Sequence, residues 1–285
     1  MINNFARRPI FRLRGGIGNQ LFIYSAAWVL SNQIETNPIF DSSGISHLDC
    51  ISSIAIPGQY LSKFEEKIIN FSRNSRYLTR KNMNFPDCSN PARILRNSYI
   101  SGYFQDSTFA VILKKQGFFD NFIFSDKSKR MEDLFSEIYQ ENSTLMHLRF
   151  GDYRQAGETL GNLSQSYYKN AITGYSQIAN NPIYVLSDEP EVARVFLKEF
   201  GDSDIRIVPR STEISTFDYL RIFGAANRII LANSTFSWWG AFLAQNVETV
   251  LAPRPWYKNE SSQAPILDSF YPSDFSTLKS DWALK

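Results

Sequence analysis

Three polar groups lie within six positions in Thr144-Leu-Met-His-Leu-Arg-Phe-Gly-Asp-Tyr153. A short apolar run there turns polar at once and presents His147, Arg149 and Asp152 around Gly151. The guanidinium of Arg149 is a rigid fork of donors suited to phosphate oxygens. A buried strand emptying into such a cluster puts charge at the carboxyl edge of a sheet, where open α/β folds bind ligands. A plain Arg149–Asp152 ion pair at a strand end is the simpler alternative. The concentration of the three, with one of only two histidines in the chain, favours a site.

Two further stretches suit anions. Asn233-Ser-Thr-Phe-Ser-Trp-Trp-Gly240 carries small hydroxyl residues into the start of a helix. Backbone amides and the hydroxyls of Ser234, Thr235 and Ser237 can then point at the same phosphate oxygens, although Ser234 or Thr235 also fits as a bare helix cap. Gly15-Gly-Ile-Gly-Asn-Gln20 joins a strand to a helix. Leu21 stands where a dinucleotide fingerprint has its third glycine, and the Gly-Lys-Ser/Thr of a P-loop is missing. A tight turn and a ligand loop both remain open there. Asp188, in Ser187-Asp-Glu189, and Asp218, in Thr216-Phe-Asp218, follow strands at the same edge; each also fits an ordinary helix start. Trp238 and Trp239 read as core. Asp202-Ser-Asp204 is an acidic pair at the opposite, amino edge and reads as a solvated turn. No other His, Cys or acidic set has metal-ligand spacing, so no cofactor metal is expected.

These groups need a sheet to bring them together. From residue 145 onward, strands at 145–149, 183–187, 205–208, 228–232 and 248–252 alternate with helices at 165–179, 190–200, 216–227 and 236–246. Pro190 opens the second of these helices and Gly201 closes it. Strands alternating with helices predict a parallel sheet with right-handed crossovers. Before that point lie a strand at Ile10–Arg14, a helix over Leu21–Leu30, a strand at Tyr99–Phe104, and helices over 107–116 and 131–140. Residues 41–98 have weak periodicity, with a short helix suggested only at Phe64–Phe71. The expected domains are 1–140, a looser α/β domain, and 141–285, a Rossmann-like domain whose C-terminal tail packs back on the first.

Composition narrows the class. In 285 residues, 43% are hydrophobic and 20% charged, which describes a folded globular protein. A net charge of +2 argues against a dedicated nucleic-acid binder. Between Lys63 and Arg96, eight Lys or Arg face three acids, either a solvated face or a patch for anionic lipid. Cys50 and Cys88 form no disulfide framework and fit a reducing compartment. With no apolar run of membrane-spanning length and no secretory signal, the expected location is cytoplasmic, with peripheral membrane contact as an option.

Taken in order, several segments resemble the α-1,2-fucosyltransferases, glycosyltransferase family 11, of the bacterial type. Gly15-Gly-Ile-Gly-Asn-Gln-Leu-Phe22 is similar to the family's glycine motif and His147-Leu-Arg-Phe-Gly-Asp-Tyr153 to its His-x-Arg-Arg-x-Asp-Tyr motif. Ser187-Asp-Glu189 resembles its Ser-Asp-Asp segment, and Ala232–Ala241 its tryptophan signature. Gly102–Gln105, Ala252-Pro253 and Trp256 also fit. Phe150 and Glu189 depart from the pattern, replacing an arginine and an aspartate. The resemblance implies a GT-B fold, two Rossmann-like domains facing across a cleft, and transfer of L-fucose from GDP-fucose to the 2-hydroxyl of a terminal galactose on an oligosaccharide or lipid-linked glycan. It implies inversion and no metal. His147 and Arg149 would neutralise the diphosphate, with Asp152 orienting them or serving as base. Asp188, Asn233, Ser234, Thr235, Phe236 and Ser237 would bind the donor. Asp218 would read guanine, and Gly16, Gly18 and Asn19 would approach the fucose. A transferase of another linkage, such as α-1,6, and a non-catalytic glycan- or nucleotide-binding protein are the competing readings.

Overall fold

The computed structural model describes residues 8–45, 51, 59–61, 79–82, 98–120, 129–155, 158–201, 203–211, 214–259 and 268–283. The chain divides into two compact units, Met1–Ile123 with Leu267–Tyr271, and Phe124–Ile266 with Pro272–Lys285.

The first unit holds a five-stranded sheet. Its strands are β1 (Ile10–Arg12), β2 (Ile39–Asp41), β3 (Gln59–Tyr60), β4 (Thr79–Asn82) and β5 (Ser98–Ser101). They lie in the order β3-β2-β1-β5-β4, and every pairing is parallel. Helix Ile17–Asn32 is apolar all round and buried along nearly its whole length, as such a helix must be. Tyr24 stacks on Phe40 at 5.1 Å between ring centroids and also meets Phe118. Asp106 caps helix Ser107–Lys115 by accepting from the Thr108 amide at 2.9 Å. Within the same unit Phe270 packs on Phe22. The Phe64–Phe71 helix, both cysteines, Asp202 and the side chains of the basic 63–96 stretch lie outside the described residues.

The second unit holds six parallel strands: β6 (Thr144–Leu148), β7 (Ile183–Ser187), β8 (Ile205–Ile207), β9 (Arg228–Ile230), β10 (Thr249–Arg254) and β11 (Phe275–Lys279). Their order is β11-β10-β9-β6-β7-β8. In this doubly wound sheet the winding reverses between β6 and β9. Every residue of β6 and β7 is buried, as expected of strands covered on both faces. Met146, Leu148, Val185, Ile230 and Leu251 join Tyr167, Tyr168 and Ile172 in one core. Trp238 and Trp239 are fully buried, in keeping with core residues.

Three expectations are corrected. The chain divides after residue 123 rather than 140, because helix Lys129–Gln140 is tied to the second sheet. Glu137 and Glu141 of that segment accept from Tyr184 of β7 at 2.6 and 2.8 Å, and Arg206 of β8 bonds the same acids. The tail adds β11 to the second sheet, and only Leu267–Tyr271 groups with the first unit. The helix expected over 165–179 breaks at Gly174-Tyr175 into Gln165–Thr173 and Ser176–Ala179. Elsewhere two helices end in tighter 3₁₀ turns, Leu197–Phe200 before Gly201 (φ 66°) and Ile222–Ala225.

Gly240 lets helix Thr235–Leu243 lie directly on Phe223, since a Cβ there would sit 2.4 Å from the ring. Gly240→Ala is therefore expected to destabilise the protein by about 1–3 kcal/mol through overpacking. Urea denaturation of the two proteins measures it, and an unchanged midpoint would refute the packing argument.

Candidate functional site

The loop after β6 and the loop after β9 leave neighbouring strands at the point where the winding reverses, so their residues line one crevice. Arg149 is its most constrained member. Its Nη2 donates to Asp152 Oδ1 at 2.6 Å, and its Nη1 lies 3.0 Å from Asp188 Oδ2. The guanidinium carbon stands 5.5 Å from the centre of the Tyr153 ring, and Nε is buried without a partner. Two carboxylates and a ring fix the fork, while 30% of the side chain stays exposed.

Asp188 is the organiser of this loop. Besides pairing with Arg149, it accepts from the Phe150 amide at 3.0 Å. Gly151 makes room for it, because a Cβ there would lie 2.5 Å from Asp188 Oδ2. Arg154, one turn further on, bonds both carboxylate oxygens of Glu189. Phe150, at the position where the resemblance implied a second arginine, packs on Phe196 in the core. The two departures from the motif thus sit in two loops, Phe150 after β6 and Glu189 after β7, and these loops are still bound to each other through Asp188 and Glu189.

Burial first, then the charges of Arg149 and Arg210, push the His147 pKa down to about 3. The ring is 3% exposed, lies 5.6 Å from Phe236 and 6.3 Å from Phe223, and leaves Nδ1 without a partner. In this structure His147 is therefore a neutral imidazole. That corrects the expectation that it adds positive charge against a diphosphate.

Helix Thr235–Leu243 opens beside the Arg149 loop, with Ser234 as N-cap. The Ser234 side chain makes no capping bond, so the amides of Thr235, Phe236 and Ser237 have no helical partner. Thr235 and Phe236 are partly exposed. The hydroxyl of Ser237 is not available as expected: it is fully buried and donates to the carbonyls of Ala232 and Ser234. Asn233 is likewise engaged, donating from Nδ2 to the carbonyls of Leu160 and Gly161. Its own carbonyl accepts from the Tyr153 hydroxyl at 2.8 Å, which ties the two loops together. Asp218 lies at the same edge but is 1% exposed, and it accepts from the Ser215 hydroxyl that caps its helix. Reading guanine would require uncovering it. Asp204 pairs with Arg206 at 2.8 Å, at the start of β8 and away from this edge.

Gly16, Gly18 and Asn19 belong to the first unit, at the carboxyl end of β1. Gly15 needs its positive φ of 68°, and Asn19 accepts from Gln105 at 3.1 Å. Gly16 is exposed, and a Cβ there would meet nothing within 4 Å, so it leaves open space. Sequence reading missed three contributors. Asn162 donates to the Arg149 carbonyl at 2.8 Å, Arg210 donates to the Asp188 carbonyl at 3.1 Å, and Tyr153 bridges the loops. Arg210 and Asn162 lie in loops with no motif; Tyr153 stood inside the quoted motif but its hydroxyl had no assigned task. Among the described residues no group of three or more His, Cys, Asp or Glu is placed to hold a metal ion. Among them, too, no helix is long and apolar enough to cross a membrane.

The second unit thus sets a clasped arginine beside a bare helix start at the switch point of a parallel sheet, an arrangement suited to an anion. The profile of glycosyl transferase family 11 matches residues 12–272, which include every candidate site residue. The chain belongs to that family. It is 28% identical to the O-antigen biosynthesis glycosyltransferase WbnK of Escherichia coli, over 90% of this chain and 98% of that protein. It is 24% identical to an alpha-1,2-colitosyltransferase of Escherichia coli, over 92% and 95% respectively. Among solved structures it is similar in fold to the fucosyltransferase NodZ from Bradyrhizobium, with a TM-score of 0.51 and 14% identity, covering 84% of this chain and 93% of that one.

Two outcomes test this geometry. Asp188→Asn keeps the shape but removes the charge that aims Arg149, and is expected to cut turnover by about 10–100-fold, the 1.5–3 kcal/mol of a charged hydrogen bond. Steady-state kinetics on the variant measures it. For His147, the folded pKa lies below the unfolded value of about 6.5. Its contribution is therefore complete above pH 6.5 and is lost as pH falls toward 3, because the unfolded chain takes up the proton that the folded chain refuses. Denaturation curves between pH 7 and 5 should show about 1 kcal/mol less slope per pH unit in His147→Gln than in the parent.

Proposed function

We infer that the protein transfers L-fucose from GDP-fucose to the 2-hydroxyl of a terminal galactose, with inversion at the sugar and without a metal ion. The observation that carries this reading is Arg149, held by Asp152 and Asp188 beside the uncapped amides of Thr235–Ser237. The two units of parallel sheet would be the two domains of a GT-B transferase. The names of the relatives support an α-1,2 linkage and a surface-glycan acceptor, since one is an alpha-1,2-colitosyltransferase and the other serves O-antigen biosynthesis. Work on lipid-linked glycan from the cytoplasmic side fits the same reading.

The chemistry follows from charge. As the bond from the fucose anomeric carbon to the β-phosphate oxygen breaks, its electrons remain with GDP. Arg149 and the amides of Thr235, Phe236 and Ser237 stabilise that growing charge, the part a divalent cation plays elsewhere. The acceptor oxygen attacks from the opposite face of the sugar and gives up its proton. Asp152, whose side chain is 66% exposed, would be the carboxylate base that receives it, besides orienting Arg149. His147, neutral and buried against Phe236, supports that residue and contributes no charge.

Colitosyl transfer is the second reading, favoured by the relative of that name. Incubation with nucleotide-activated fucose or colitose and a panel of galactosides, followed by NMR of the new bond, separates the sugars and the α-1,2 from the α-1,6 linkage. Titration with GDP, ADP and UDP separates a transferase from a lectin: GDP is expected to bind tightest, equally well with Mg²⁺ or with chelator. Arg149→Ala is expected to lower turnover at least a hundredfold, on the order of 3 kcal/mol in the transition state, while the protein stays folded. Near-normal turnover would remove Arg149 from the mechanism.

A further inference from the structure

The carboxyl edge of the first sheet carries two arginines that the donor chemistry does not use. Arg12 ends β1 and Arg14 follows two residues later, each half-buried on either side of the buried Leu13. Asp41 lies opposite Arg12 in the ladder. Asp41 is 2% exposed and already satisfied: it accepts from the Tyr99 hydroxyl and from the Ser43 amide at 2.9 Å. Arg12 and Arg14 form no ion pair with any described residue. Arg12 Nε is buried with no hydrogen-bond partner. Arg14 has one long bond, Nη1 to Ser101 Oγ at 3.4 Å, and its guanidinium lies 5.0 Å from the Tyr103 ring centre.

The second unit shows what a satisfied arginine on a strand looks like. Arg228, 2% exposed, donates to the Asn142 carbonyl and reaches Glu248 at 3.2 Å. A partly buried guanidinium without such acceptors is costly unless something else supplies them. Among the described residues at the ends of β1 and β2, two guanidiniums stand against the single carboxylate of Asp41, which is already satisfied. The Tyr103 ring lies against the Arg14 guanidinium and holds it beside Ser101.

We propose that Arg12 and Arg14, with Ser101 and Tyr103, form an acceptor subsite that recognises an anionic group on the glycan. This rests on the reading of the protein as a galactoside transferase, and it names the acceptor as acidic. A uronic-acid carboxylate and the diphosphate of a lipid-linked sugar share the required chemistry. Each presents two or more anionic oxygens to a planar fork.

The test uses three matched galactosides: one neutral, one extended by a uronic acid, and one carrying a diphosphate on a short soluble lipid. Binding of each to the full chain is measured by calorimetry, and transfer by kcat/KM, for the parent, Arg12→Gln, Arg14→Gln and the double variant. GDP binding and thermal melting are measured alongside. The parent is expected to favour one anionic acceptor over the neutral one at least tenfold, with the preference shrinking in high salt. The double variant is expected to lose that preference, and the acceptor whose preference is lost identifies the anion. Equal use of all three by the parent, or a preference unaltered in folded variants, overturns the proposal. So does a matching loss of GDP affinity, which would assign these arginines to the donor. If no galactoside is fucosylated but charge-dependent binding persists and vanishes in the variants, the transferase reading fails and the subsite stands. Variants that fail to melt cooperatively are replaced by Arg12→Lys and Arg14→Lys, which keep charge but lose the fork and are expected to retain a weakened preference.

Discussion

The constraint on which this structure depends is the double hold on Arg149. One guanidinium bridges Asp152 at 2.6 Å and Asp188 at 3.0 Å, and so joins the loop after β6 to the loop after β7. Asp188 extends the hold to the backbone through the Phe150 amide, Asn162 steadies the Arg149 carbonyl, and Tyr153 passes the connection to Asn233. Three loops from three strands are thereby locked around one charge. A partly exposed arginine would otherwise sample many rotamers, and the order imposed here is what makes it useful against an anion.

That lock needs a sheet beneath it. Strands β6 and β7 are buried end to end, which fixes where their loops emerge, and the reversal of winding between β6 and β9 keeps the space above them open. The burial that gives rigidity also sets protonation. His147 lies so deep among Phe223, Phe236 and the arginine charges that it stays neutral, whereas Arg149, two residues on, has reached the rim. At one strand end, an advance of two residues separates a packing side chain from a chemical one.

The arginines show three outcomes for the same side chain. Arg228 is buried and satisfied, Arg149 is clasped between acids, and Arg12 is partly buried with its Nε unpaired. Composition could not have separated them. The regular second unit was legible because its strands are apolar runs bounded by Pro190, Gly201 and polar loops. In the first unit β2 has three residues and ends in the buried Asp41, too short and too polar for periodicity to show. The break at Gly174-Tyr175 and the 3₁₀ endings were hidden for the opposite reason, since the apolar pattern runs on through them. The hydroxyl of Ser237 looked like a phosphate ligand in the motif, yet the helix turns it inward onto the carbonyls of Ala232 and Ser234.

The sequence alone determined the alternation of strands and helices, the parallel sheet of the second unit, and the segments that gather at its carboxyl edge. These follow from local patterns of apolar residues and from motifs of a few neighbours, which a linear chain displays directly. Only the tertiary structure decided which of those residues face an open crevice and which serve each other. Partnerships such as Phe150 with Asp188, Tyr153 with Asn233 and Tyr99 with Asp41 join positions 38 to 80 residues apart. Burial and pairing at such separations depend on how strands are ordered in a sheet, and no local pattern encodes that order.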